Sequence, residues 1–159
     1  MSAAVGLDTR LTEDDHESLR LWLRLLTCSH LIENHVRKAL ALQFKTTLPR
    51  FDLMAQLERA PQGLQMGELS RRMLVTGGNV TGIVDQLERA GLIARSTDPD
   101  DRRAYRVKLT KEGRRTFAKM AVEHESWIVK LFDGISVREQ RALNESLLRL
   151  RTHLTRQTS

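Results

Sequence analysis

A chain of 159 residues is one ordinary domain, long enough to bury a real core. Its single cysteine, Cys28, excludes an internal disulfide and a Cys-rich metal site, and no apolar run approaches the ~18 residues of a membrane span. The net charge is +6, with 8 basic and 8 acidic residues over 1–65, 9 against 7 over 66–113 and 9 against 5 over 114–159, a surplus that suits polyanions such as nucleic acid, acidic membranes or phosphorylated ligands.

The first residues, MSAAVGLDTRLTEDD, lack an apolar signal core, so the chain reads as cytoplasmic, with a loose polar arm over 1–13. Asp14 and Asp15 can cap a helix in which Leu19, Trp22, Leu23, Leu26, Ile32, Val36, Ala39 and Leu40 recur at helical spacing to about Gln43. Thr46 and Thr47 break it. Pro49 suits the first turn of a second helix, with Leu53 and Leu57 on one stripe, ending near Ala60-Pro61-Gln62-Gly63. A short helix is predicted over about 67–74, with Leu69 and Met73 four apart. A turn follows at Val75-Thr76-Gly77-Gly78. The next helix spans about 78–90, with Val80, Ile83, Val84 and Leu87 as its buried face and Gly91 as its left-handed stop.

Leu92 to Arg95 is a short strand. Tyr105, Val107 and Leu109 alternate with Arg106 and Lys108 as a half-buried strand, so 92–109 is a hairpin with a charged tip at Asp98 to Asp101. Thr110 caps a further helix carrying Phe117, Met120, Ala121, His124, Trp127, Ile128 and Leu131. Ser136 with Glu139 forms a capping box for the last helix, where Leu143, Leu147, Leu150 and Leu154 repeat at heptad spacing.

The fold class is therefore mainly α with a small β-hairpin wing. A winged helix-turn-helix lobe over 48–110 lies between dimerisation helices over 14–47 and 111–156, and the excess apolar face of those helices calls for a homodimer. In a helix-turn-helix the second helix enters the major groove, and its first residues reach the bases. Here that helix offers Gly77, Gly78, Asn79, Thr81, Gly82, Asp85 and Gln86 on its open side, with Thr76 in the turn before it and Arg71 and Arg72 at the end of the preceding helix. Asn79 can pair with adenine, and Thr81 can meet a thymine methyl or a phosphate. Asp101, Arg102 and Arg103 put two guanidinium groups at the tip of a narrow ribbon, where Arg suits a narrow minor groove.

The stretches LPRFDLMAQLER (48–59), GLQMGELSRRMLVTGGNVTGIVDQLERAGLIARS (63–96) and DPDDRRAYRVKLTKEG (98–113) resemble the MarR family of bacterial regulators. The Asp-x-Arg followed by Val-x-Leu-Thr-x-x-Gly is the most specific part. The resemblance implies a homodimer with intertwined terminal helices, binding a near-palindromic double-stranded DNA operator. It implies that Arg103 is the wing-tip contact, oriented by Asp101, with Arg102 on phosphate. It also implies a repressor, released by a small-molecule effector in a crevice between the dimerisation helices and the lobe. Lining residues of that crevice are expected among Trp22, Arg24, His30, Asn34, Arg37, Phe51, Met54, Met120, His124 and Trp127. The segment from Met66 to Ile93 is similar to that of relatives responding to hydroxycinnamoyl-CoA or other aromatic acyl-CoA thioesters, with free aromatic acids and hydrophobic drugs as competing classes. Cys28 is five residues beyond the position of the peroxide-sensing cysteine of some relatives, and is expected to be a buried, inert thiol.

No enzyme pattern emerges. His16, His30, His35, His124 and His153 show no metal-binding spacing, and there is no phosphate loop or serine elbow, so neither a cofactor nor a metal is expected. The alternative is a winged helix serving as a protein-interaction adaptor, which the fold alone does not separate from a DNA binder.

Overall fold

The computed structural model describes residues 16–74 and 79–158. The arm at 1–13, the Asp14/Asp15 cap and the turn at 75–78 lie outside the described residues. Helices α1 (Glu17–Phe44) and α2 (Leu48–Glu58) come first, then strand β1 (Leu64–Gln65) and helices α3 (Met66–Arg72) and α4 (Val80–Arg89). Strands β2 (Ile93–Thr97) and β3 (Tyr105–Leu109) form the hairpin, and helices α5 (Lys111–Leu131) and α6 (Val137–Gln157) close the chain. No helix of the described residues is long and apolar enough to cross a membrane.

Most boundaries follow local chemistry. Helix α1 stops where Lys45 takes a left-handed conformation (φ 52°) and its N–H caps the Leu40 carbonyl. Thr47 then accepts the Arg50 N–H, and Pro49 occupies the first turn of α2, where its missing N–H leaves nothing unpaired. Gly91 sits at φ 74°, as expected for a residue just past the end of α4. Ser136 and Glu139 make the reciprocal capping box at the start of α6.

The sheet has three strands, in the order β1-β3-β2, where the hairpin pattern alone predicted two. Leu64 pairs with Val107 and Gln65 with Arg106, while Ile93 to Thr97 run antiparallel to Leu109 to Tyr105. A two-residue strand has no alternation to detect, which is why the spacing did not reveal β1. Gly63, at φ 84°, delivers the chain to it; a Cβ there would lie 2.9 Å from the Val107 carbonyl oxygen.

The core is set by Leu40, Leu53, Met54, Leu57, Leu69, Val84, Ile93 and Val107, all at 3% exposure or less. Each such side chain contributes about 1.5–3 kcal/mol when buried. It joins α2, α3 and α4 to the sheet and to the end of α1. In the remainder of the α1 stripe, Leu23, Ile32 and Ala39 are half-buried, and Leu19, Trp22 and Leu26 are exposed at 38%, 53% and 47%. Cys28 is exposed too, which corrects the expectation of a buried thiol: the buried positions of α1 are Val36 and Leu40, on its last turns.

The chain divides into two compact units, one running to Val122 and one from Glu123. The first unit includes α1. In the second, α6 has no buried residue, and Leu143, Leu147 and Leu154 of its heptad stripe are open.

Candidate nucleic-acid interface

Helices α3 and α4 are presented by α2 through a buried carboxylate. Asp52, 6% exposed, accepts the Leu74 N–H at 2.7 Å and the Gln56 amide at 3.1 Å. The carboxylate thus holds the segment that leaves α3.

Helix α4 begins two residues later than the spacing predicted. Asn79 is its N-cap, and its side-chain oxygen accepts the Thr81 N–H at 3.0 Å. The amide expected to read adenine therefore has one of the two lone pairs of its oxygen engaged in capping. Val80, Ile83, Val84 and Leu87 face inward as expected, with Ile83, Val84 and Leu87 buried. Thr81 is exposed. Thr76, Gly77 and Gly78 lie outside the described residues.

Two further α4 side chains have partners that the sequence did not reveal. Gln86 is exposed, but its oxygen accepts from Arg50 of α2, at 2.9 Å from Nε and through Nη2 as well. Asp85 is paired with Arg95 of β2, whose Nε lies 3.8 Å from Glu88 and whose guanidinium stacks 5.2 Å from the Tyr105 ring centroid. One guanidinium thus joins α4 to both wing strands. Arg71 and Arg72, both exposed, bind Glu68 at 2.9 and 2.8 Å, and these two hydrogen bonds hold the Glu68 carboxyl below its usual range. Such exposed pairs are cheap to break, so both arginines remain available to phosphate.

The wing turn is built on Asp98, which is 1% exposed. It accepts from the Gln65 amide at 2.6 Å and the Asp100 N–H at 2.8 Å, and pairs with Arg106 at 3.1 Å. These contacts, led by Gln65, keep its carboxyl below the usual range. Arg106 also donates to the Gly63 carbonyl at 3.1 Å, so the wing base is tied to β1 and to the start of α3. Asp101 meets Arg103 at the backbone: the carboxylate accepts the Arg103 N–H at 3.0 Å and makes no ion pair with the guanidinium. Arg102 and Arg103 are exposed, and neither side chain makes a hydrogen bond or ion pair among the described residues. Asp98 and Gln65 escaped the sequence reading because a turn aspartate is normally solvated and its partner stands 33 residues earlier.

The ten crevice candidates are distributed over both units. Phe51 packs against Phe117 at 5.4 Å, and Phe51, Met54 and Met120 are buried. Met54 and Met120 share a cavity of about 210 Å³ with Phe44, Arg50 and Leu92. Arg37 lines a separate cleft of about 450 Å³, beside Pro49, Arg50, Asn79, Gly82 and Gln86. His30 and Asn34 bond to each other at 3.0 Å on the exposed side of α1, where Trp22 and Arg24 are also open. His124 and Trp127 belong to the second unit, where their rings meet edge-on at 6.4 Å; burial lowers the His124 pKa.

A short helix, a second helix with one buried face and one polar exposed face, and an arginine-tipped hairpin following in the chain have the order of a winged helix-turn-helix. The model of the MarR family matches residues 44–104. Over those residues the chain is similar to the MarR family, and its winged-helix fold is that of MarR family structures. It is similar to YkoM of Bacillus subtilis, an HTH-type transcriptional regulator, at 39% identity over 85 residues, which is 54% of this chain and 54% of that relative. The chain thus spans about half the length of that relative. The crystal structure of a MarR family transcriptional regulator from Silicibacter pomeroyi superposes with a TM-score of 0.78 at 28% identity, over 91% of this chain and 99% of that one. Sco3205 from Streptomyces coelicolor, solved in complex with DNA, shares the fold, with a TM-score of 0.75 at 23% identity over 91% of each chain.

Proposed function

We propose that the protein is a homodimeric, sequence-specific DNA-binding repressor whose α4 enters the major groove and whose Arg103 enters the adjacent minor groove. The observation that carries this reading is the exposed face of α4 beside two wing-tip guanidinium groups that have no partner among the described residues. The DNA complex of Sco3205 supports the same use of the fold. Open apolar side chains on α1 and α6, Trp22 and Leu147 among them, support a second copy as their cover. Two lobes related by a dyad would contact half-sites centred about 10 base pairs apart.

The effector is a small aromatic acid. The cavity of about 210 Å³ is lined by Phe44, Met54 and Met120 with Arg50 at one side, which suits an aromatic ring with a carboxylate. Its volume falls below the roughly 300–1,000 Å³ of drug-sized ligand pockets, so an acyl-CoA thioester would leave its nucleotide outside. Release requires that the acid prefer the arrangement that does not fit the operator.

Fluorescence-anisotropy titration against the intergenic DNA upstream of its own gene, with scrambled duplex as competitor, tests this. Competitor-resistant binding that Arg103→Ala weakens, and that an aromatic acid reverses, is the expected result. Equal weak binding to both duplexes would defeat the DNA reading and favour the adaptor.

A further inference from the structure

We propose that the cleft of about 450 Å³ between α1 and the starts of α2 and α4 is a binding site for a phosphate group, carried by a small phosphate ester. It is distinct from the aromatic cavity, which Arg37 does not line, although Arg50 and Gln86 border both.

Two guanidinium groups line this cleft, Arg37 from α1 and Arg50 from α2, and no acidic side chain lines it among the described residues. Neither charge is cancelled. Arg37 approaches Glu33 only at 3.7 Å, beyond hydrogen-bonding distance, with the two side chains 40% and 44% exposed. Such an i, i+4 pair is worth about 0.3–0.5 kcal/mol and gives way readily. Arg50 has no acidic partner among the described residues; its Nε and Nη2 donate to Oε1 of Gln86, the first at 2.9 Å. That oxygen is neutral, so it fixes the plane of the guanidinium and leaves both its charge and its Nη1 donors for a further partner. Arg50 is also anchored through its backbone, in the first turn of α2 between buried Pro49 and buried Phe51.

The helix starts add to the arginines. Thr47 and Asn79, the N-caps of α2 and α4, both line the cleft, so two positive helix ends lie at it. Two full charges without an acid call for a dianion. A carboxylate balances only one of them. A phosphate monoester carries close to two charges at neutral pH, and its three acceptor oxygens suit the fork of a guanidinium. A backbone phosphate of DNA offers the same oxygens with a single charge. The volume lies in the range of small-molecule sites, roughly 300–1,000 Å³, and buried Pro49 and Ile83 supply an apolar wall for the organic part of the ester.

Isothermal titration calorimetry at constant ionic strength and pH 7.5 tests this, with n-butyl phosphate as the dianion and n-butanesulfonate as a monoanion of the same shape. The wild type is expected to bind one butyl phosphate per protomer, at least about tenfold more tightly than the sulfonate. Arg37→Met and Arg50→Met should each weaken it about tenfold or more, the range of one charge-assisted hydrogen bond. Arg37 is half-buried on the surface of α1, so its variant decides the matter even if Arg50→Met destabilises α2. Lys38→Met removes an equal charge from the next position of α1, outside the cleft, and should change nothing. Equal binding of the two anions, or an equal effect of Lys38→Met, would reduce the site to general positive charge and overturn the proposal. A second arm titrates duplex DNA at several salt concentrations. If the ester fails to bind and Arg37→Met lowers the salt slope by about one, the cleft holds a backbone phosphate and the small ester is overturned. If neither arm responds to Arg37→Met, the cleft is no phosphate site. Failure of the wild type to bind any duplex overturns the DNA-binding reading and leaves the calorimetric result standing.

Discussion

Replacement of Gly113 by alanine places a methyl group against backbone. Gly113 lies in the first turn of α5, and a Cβ there would sit 1.9 Å from the Leu92 carbonyl oxygen, 2.8 Å from its carbon and 3.3 Å from a Leu109 methyl. Carbon and oxygen rest at roughly 3.3 Å or more, so α5 and the approach to β2 must separate by about 1.4 Å. That movement strains two bonds of Thr110, its N–H to the Leu92 carbonyl at 3.0 Å and its hydroxyl to the Gly91 carbonyl at 2.7 Å. Their loss costs about 1 kcal/mol each. Overpacking adds about 1–3 kcal/mol. The gain in helix propensity returns only about 1 kcal/mol. A net loss of about 2–4 kcal/mol should lower the melting temperature by roughly 5–15 °C for a domain of this size. Thermal and urea unfolding followed by circular dichroism at equal protein concentration would measure it. A neutral or stabilised Gly113→Ala would show that helix propensity outweighs the close approach, and the reasoning would be wrong.

Gly82→Ala should act in the opposite direction on stability. Its Cβ would meet only the Asn79 Cβ at 3.8 Å, so the helix should gain about 0.5–1 kcal/mol while affinity for duplex falls; unchanged affinity in the anisotropy titration would remove DNA from the explanation of this glycine. Asn79→Ala should lose about 1 kcal/mol of capping, whereas Asn79→Ser keeps the cap and lacks the amide. Altered ranking of operator variants with Asn79→Ser at wild-type stability would isolate a reading role; unaltered ranking would leave Asn79 as a cap alone. Asp98, whose carboxyl is held below its usual range first by Gln65 and then by the Asp100 N–H and Arg106, contributes stability that is present above the ordinary aspartate pKa. That contribution is lost as pH falls through the lower folded value, so melting temperature should drop as the solution is acidified below the ordinary aspartate range, and Asp98→Asn should flatten this limb. An unchanged acid limb in the variant would contradict the assignment.

Much of the fold was legible because its signals are local. The i, i+3, i+4, i+7 pattern of Val80, Ile83, Val84 and Leu87, the Ser136–Glu139 box, the Thr110 cap and the glycine at 91 each act within a turn or two of chain. What escaped is non-local. Strand β1 exists because Val107 and Arg106 come to meet Leu64 and Gln65, and two residues carry no periodicity of their own. The open face of α4 was read residue by residue as free, yet Asn79 caps, Asp85 belongs to Arg95, and Gln86 to Arg50 from 36 residues earlier. Polar side chains on a helix surface reveal what they can bond, and only the packed neighbours decide what they do bond.

The bridge from Arg95 to Asp85 has a consequence for portability. Over Val80–Arg89 the helix holds two acids, Asp85 and Glu88, against Arg89 alone. A polyanion would repel such a segment taken by itself. Strand β2 supplies the missing positive charge, so the helix is electrically complete only while its hairpin is attached. Grafting α4 onto a foreign scaffold would transfer its side chains but leave their counter-charge behind; the smallest transplantable unit is helix and hairpin together.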